Sequence, residues 1–278
     1  MITSTFVPLV FVGSFVAGLL GSLTGLGGGV VIVPLLVLVF HVNVKYAIGA
    51  SLVSVIATSS GAAAAYVREG YSNIRMGMFL EIATTLGALV GAFLATRLPA
   101  GIIGVVFGAV LIVSAALSLQ RVDPLDTGAP PDRLATLLKL NSDYPTLEGR
   151  LEYHVRHIPA GFAMMFGAGT LSGLLGTGSG AFKVLAMDQI MRVPFKVSTT
   201  TSNFMIGVTA AAGVGIYLRR GFVDPGLAMP VMLGVLAGSI VGARLLLRMR
   251  TAWLRLAFAV VIAALGVEMI YGGITGRF

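Results

Sequence analysis

Cysteine is absent from the 278-residue chain, which excludes disulfides and thiol chemistry and leaves the compartment open. Charge is scarce as well. Asp, Glu, Lys and Arg make up 11% of the residues, where a soluble domain carries about 25%. His41, His154 and His157 fall at segment edges without metal-ligand spacing, so no metal site is expected. The "GLGGG" of 25–29 lacks the following Lys-Ser/Thr of a phosphate loop, so neither ATP drive nor another cofactor is expected. An intramembrane enzyme needs paired catalytic groups. The deep carboxylates Glu81 and Asp188 fall in different halves with no His nearby, so the chain is not expected to be an enzyme. The opening "MITSTFVPLV" has no charged n-region, so no cleavable leader is expected. A nucleic-acid partner is not expected either.

Apolar sequence fills the space left by charge. Hydrophobic residues are 56% of the chain, the mean hydropathy is +0.96, and uncharged runs cover 6–40, 46–67, 98–120, 158–182 and 256–267. These runs are too long and continuous for the ~10-residue alternation of an outer-membrane barrel. They predict an all-α polytopic membrane protein with the lipid bilayer as its solvent. The net charge of +8 suits an anionic substrate. It equally suits the Lys and Arg that accumulate on cytoplasmic loops.

The chain also repeats itself. Shifted by 151 positions, 42–111 aligns with 193–262 without a gap, and sixteen of the seventy pairs are identical. They include Lys45/Lys196, Ser51/Ser202, Thr58/Thr209, Tyr66/Tyr217, Arg68/Arg219, Gly70/Gly221 and Arg97/Arg248. A four-residue change of offset carries the match back to two "GLLG" motifs, at 18–21 and 173–176.

Each half reads as five helical segments: 6–24, 28–41, 47–67, 76–96 and 99–119, then 158–175, 179–191, 198–218, 226–247 and 252–272. That predicts about 8–10 membrane segments. The second segment of each half is too short to span ~30 Å of hydrocarbon at 1.5 Å per residue, which predicts a half-helix or re-entrant hairpin. The organisation is therefore a first repeat over 1–119, a polar connector over 120–157 and a second repeat over 158–278. The later connector, "LEGRLEYHVRHIP", suggests a short amphipathic helix on the membrane surface.

Basic residues choose the topology. With an odd number of crossings per half, thirteen of them share one side against five on the other; with an even number the split is ten to eight. The positive-inside rule selects the odd arrangement. It predicts inverted repeats, both termini outside and the connector in the cytoplasm.

Inverted-repeat transporters bind substrate near the midplane, where helices are interrupted. The candidate interruptions are Gly25, Gly27, Gly28 and Gly29 in the first half and Thr177, Gly178, Ser179 and Gly180 in the second. Free N–H groups at the following helix starts would accept an anion. Gly87/Gly91, Gly104/Gly108 and Gly238/Gly242 read instead as small-xxx-small packing contacts. A leucine at Gly28 or Gly178 is expected to abolish transport and leave the protein folded.

Further polar residues lie at membrane depth. Ser51 in "AIGAS" and Thr199, Thr200, Thr201, Ser202 and Asn203 in "STTTSN" are candidates for helix capping or for ligating anion oxygens. Lys183 is a candidate anion contact, with pairing to Asp188 as the alternative. Lys45 and Lys196 are end-caps or anion-attracting gates on opposite sides. Glu81 is a candidate proton carrier, unless Arg75 or Arg97 pairs with it.

The "GLLGSLTGLGGGVVIVP" of 18–34, the "AIGAS" of 47–51 and the "VREGYSN" of 67–73, repeated as "GLLGTGSG", "TTTSN" and "LRRGFVD", resemble the TauE/SafE family of sulfite and sulfonate permeases. The resemblance covers roughly 10–119 and 160–272. It implies secondary transport of a small sulfur-containing anion (a sulfonate, sulfite or thiosulfate) across a bacterial inner membrane. An anion channel and a membrane scaffold or subunit remain the alternatives. The small-residue helix faces leave a homodimer open.

Overall fold

A computed structural model describes residues 2–24, 29–68, 72–119, 132–146, 149–246 and 251–277. The first half runs α1 (Ile2–Thr24), α2 (Gly29–Pro34), α3 (Val44–Arg68), α4 (Ile74–Arg97) and α5 (Ala100–Leu119). The second runs α7 (Ile158–Leu175), α8 (Gly180–Leu185), α9 (Phe195–Arg219), α10 (Pro225–Leu246) and α11 (Thr251–Ile274). Helices satisfy their own backbone, as hydrocarbon requires. By length and apolarity, α4, α7, α9 and Ala100–Leu117 of α5 can cross a membrane; the described parts of α1, α3, α10 and α11 contribute shorter apolar stretches.

The same offset of 151 that aligns the sequence relates the element starts from α2/α8 onward. Each short helix runs into a π-helical turn, Leu35–Val39 or Ala186–Ile190. Each turn is followed by a left-handed residue, His41 at φ 53° or Arg192 at φ 58°. Matching hydrogen bonds close the two turns, from Val42 N to Leu36 O and from Val193 N to Met187 O, both 2.9 Å. The chain then doubles back. Arg156 N donates to Met191 O (3.0 Å), and the His157 ring lies 3.2 Å from Ile190 O, so the end of the α8 arm returns to the start of α7. In the first half the Phe6 and Phe40 rings meet edge-on at 5.8 Å. Residues 29–41 and 179–191 are thus returning arms and not full crossings.

The halves interlock by exchange. Helix α1 packs on α10 and α7 on α4, α5 on α11, while α3 and α9 meet at the centre. Close approach of backbones makes these seams. A Cβ at Gly87 or Gly91 would strike the α7 carbonyls of Phe166 or Thr170, and one at Gly169 or Gly173 would strike Thr84 or Ala88 of α4. Gly238 meets the Phe15 carbonyl of α1 in the same way, and Gly108 meets that of Gly266. Without a hydrophobic drive between helices in lipid, this dispersion contact holds the bundle together.

The connector differs from expectation. It holds a one-turn helix α6 (Arg133–Leu137) and a hairpin of β1 (Ser142–Thr146) and β2 (Gly149–Tyr153), not an amphipathic helix over 147–159. Gly149 at φ 128° supplies a turn conformation that a helix does not use. The apolar residues of the segment serve docking instead: Leu140, Tyr153 and Val155 are buried with Met76, Met187, Met191 and Met205. Asn73 fastens this seam, capping α4 at Met76 N and donating to Leu140 O (2.8 Å) and the Tyr153 hydroxyl (2.9 Å).

Candidate functional site

The second helix break meets the start of the first arm at Gly29. Helix α7 ends at Gly176 (φ 70°), and Gly178 (φ 73°) and Ser179 (φ 46°) complete a left-handed turn before α8. Ser51 of α3 joins the two breaks, donating to Gly176 O at 2.8 Å with Gly29 O at 3.4 Å. Its counterpart Ser202 donates to Gly180 O at 3.3 Å. A Cβ on Gly29 would come within 3.0 Å of both the Gly176 carbonyl and Ser51 Oγ, so the first arm abuts the end of α7 with no room for a side chain. Gly178 lies between Ile206 and Val55. Gly25, Gly27 and Gly28 fall outside the described residues.

Lys183 projects from the α8 arm into complete burial. Its ammonium donates to Thr209 Oγ1 at 2.5 Å, and that hydroxyl lies 2.7 Å from Glu81 Oε1. Thr85 donates to the same carboxylate oxygen at 3.2 Å, while Glu81 Oε2 is buried without a partner. The two charges attract one another across the Thr209 hydroxyl. Burying either alone would cost several kcal/mol. These partners are not the ones the sequence suggests. Lys183 bonds to Thr209 and not to Asp188, which lies beside Arg192 instead. Glu81 meets Thr209, Thr85 and the Lys183 charge, rather than Arg75 or Arg97.

The "STTTSN" hydroxyls divide by role. Ser198 donates to Val193 O and Thr200 to Lys196 O, so both bond back to local carbonyls and neither caps a free N–H of α9. Thr201 Oγ1 accepts from Asn73 N at 3.0 Å, tying α9 to the start of α4. Thr199 Oγ1 and Ser179 Oγ are buried with no partner, and Thr177 Oγ1 accepts only a long bond from Ser179 N (3.3 Å). Asn203 is half-buried. Lys45 Nζ donates to Thr96 O and sits over the Phe222 ring at 5.6 Å, at the far end of α4 from Asn73. Lys196 starts α9, which Thr201 ties to the Asn73 end. Among the described residues no three His, Asp or Glu side chains converge as a metal site.

The Glu81–Thr209–Lys183 group is what sequence reasoning did not assemble, although all three residues invited it. The available signal was the repeat itself. The mirrored positions are Met232, Thr58 and Ile32, so a carboxylate and an ammonium are both unique to one copy of a duplicated frame.

A helical bundle with two returning arms and a buried charged group on one of them has the construction of a polytopic membrane transporter. The comparison with known proteins gives the particular kind. The family model described as "Sulfite exporter TauE/SafE" matches residues 10–269, and the chain belongs to this family. It is 29% identical over 279 residues to a Bacillus subtilis (strain 168) protein named "Probable membrane transporter protein YunE", covering 97% of this chain and 99% of that one. "Probable membrane transporter protein YdhB" of the same organism is 28% identical, with 95% and 100% covered. "Probable membrane transporter protein MJ0441" of Methanocaldococcus jannaschii is 24% identical, with 95% of each chain covered. No solved structure matches the chain.

Proposed function

We propose that the protein is a secondary transporter that carries a small sulfur-containing anion (a sulfonate, sulfite or thiosulfate) across a bacterial inner membrane, with Lys183 as its anion contact. One observation carries the reading: Lys183 is a fully buried ammonium just past the second helix break, with unpartnered hydroxyls of Ser179 and Thr199 in the same half. Several donors and one positive charge in low dielectric suit an oxyanion. The halves act as inverted repeats. Supporting this, Lys45 and Lys196 begin equivalent helices and lie toward opposite ends of α4, as the distribution of basic residues requires. In this orientation the termini are outside and the connector is cytoplasmic.

The test is a thermal-shift screen of the detergent-purified protein with sulfite, thiosulfate, sulfoacetate and taurine, using chloride and acetate as controls. Selective stabilisation by one or more sulfur anions, lost in Lys183→Met, is expected. Equal response to every anion, or an unchanged response in the variant, would contradict the assignment.

A further inference from the structure

Lys183 spends its charge on an internal partner, and that partner sits where an anion oxygen would sit. The ammonium has one hydrogen bond, to Thr209, and through it the Glu81 carboxylate. Thr209 has a single hydroxyl proton and also lies 2.9 Å from Met205 O, so its bond to Glu81 has a ready alternative. Thr85 holds Glu81 Oε1 loosely, and Oε2 has no partner at all. The carboxylate is therefore anchored through one oxygen only.

Resting on the proposed function, we propose that Glu81 is a resident counter-ion that the transported anion displaces from Lys183, and that its displacement couples transport to one proton. In the substrate-free protein Glu81 is the negative partner of Lys183. An arriving anion takes over the ammonium. Glu81 then loses the charge that held it ionised and takes a proton from water on the open side. The only bond change is this proton transfer: an O–H bond forms on the Glu81 carboxylate as one in a hydronium ion of the open side breaks, leaving water. One anion and one proton enter the site together, and the pair of charges that leaves with the substrate restores the starting state.

The surroundings leave this exchange to the two groups. Against α4, helix α7 presents no titratable side chain anywhere along its length. Helix α9 offers Lys196 at its start and Tyr217 and Arg219 at its far end, with Tyr217 bonded to Gly173 O. The α8 arm brings Lys183, and Asp188 further on beside Arg192. On α4 itself Arg75 and Arg97 stand at the two ends.

The measurement is thiosulfate binding to the purified full-length protein in detergent, by calorimetry across pH 6–9, a range chosen because thiosulfate does not itself titrate there. In the wild type the Kd is expected to rise by about tenfold per pH unit over the upper part of the range, the signature of one proton taken up per anion bound. A weakly buffered sample with a pH dye should register that proton directly. Glu81→Gln keeps the shape and removes the competitor, so at pH 7 it should bind more tightly than wild type and with less proton uptake, any pH dependence it retains belonging to the Lys183 ammonium. Thr209→Val, which removes the bridging hydroxyl, should shift binding in the same direction. Wild-type binding that ignores pH, or Glu81→Gln binding weaker than wild type at every pH, overturns competition while leaving the anion site standing. Failure of both proteins to bind thiosulfate, sulfoacetate, sulfite or taurine overturns the proposed function, and this inference with it.

Discussion

Lys183 is the side chain most out of place in an apolar interior, and its neighbours explain how the fold tolerates it. Removing one member of a buried charged group strands the other, at a cost of about 3–5 kcal/mol. Lys183→Met should therefore lower the thermal stability of the purified protein markedly. Adding Glu81→Gln to that variant should recover most of the loss without recovering transport. A double variant no more stable than the single would mean that the two groups are energetically independent. These residues are legible individually in the sequence, because a charge in an apolar run announces itself. Their association is not. Glu81 and Lys183 come from different halves, and periodicity carries no information about which helix faces which.

At the level of elements, the short segments are legible by their length, which argues against a full crossing, but their return is settled only by contacts such as Arg156 N to Met191 O. The glycines of the second break do more than the sequence suggests. Gly178 has φ 73°, and a Cβ placed on it would lie only 2.8 Å from Ile206 Cγ2, so it is a structural constraint as well as a site feature. Gly178→Leu is therefore expected to lose folded, monodisperse protein, which size-exclusion chromatography would reveal. Ser51→Ala, which removes only the hydroxyl between the two arms, is the informative substitution, with an expected loss of about 1 kcal/mol. A variant of full stability would remove Ser51 from the account of the junction.

The connector is not legible, because a short run such as "RLEYHV" suits either a strand or a helix, and only the turn at Gly149 and the docking of Tyr153 decide between them. Burial pushes the Tyr153 hydroxyl up from 10.0 to about 12. The folded state thus favours the neutral phenol. Its contribution is fully present below pH 10 and is lost as pH rises from 10 toward 12. Limited proteolysis of the connector should be unchanged up to pH 10 and faster above it. In Tyr153→Phe that acceleration should be absent.

Across the whole molecule the elements from α2 to α5 recur as α8 to α11 at a constant offset, and the two sets are used unevenly. Glycine seams, returning arms and central helices occur in both copies, whereas the charged group and the docked connector each occur once. Exchange of α1 and α7 between the halves means that neither copy closes its own surface. The absence of cysteine makes the orientation directly measurable. Asn43→Cys and Leu137→Cys, both at exposed positions, should react with a membrane-impermeant maleimide from opposite sides, the first in intact cells and the second in inside-out vesicles. Labelling of both from one side would contradict the inverted arrangement.

The central claim is that a sulfur anion is carried on Lys183 by alternating access. Counterflow tests it most directly, with proteoliposomes preloaded with unlabelled thiosulfate and diluted into trace radiolabelled thiosulfate. The account predicts a transient accumulation of label above its equilibrium level in the wild type, and none in Lys183→Met reconstituted to the same density. Label that equilibrates without overshoot would point to a channel, and an undiminished overshoot in Lys183→Met would place the anion elsewhere in the protein.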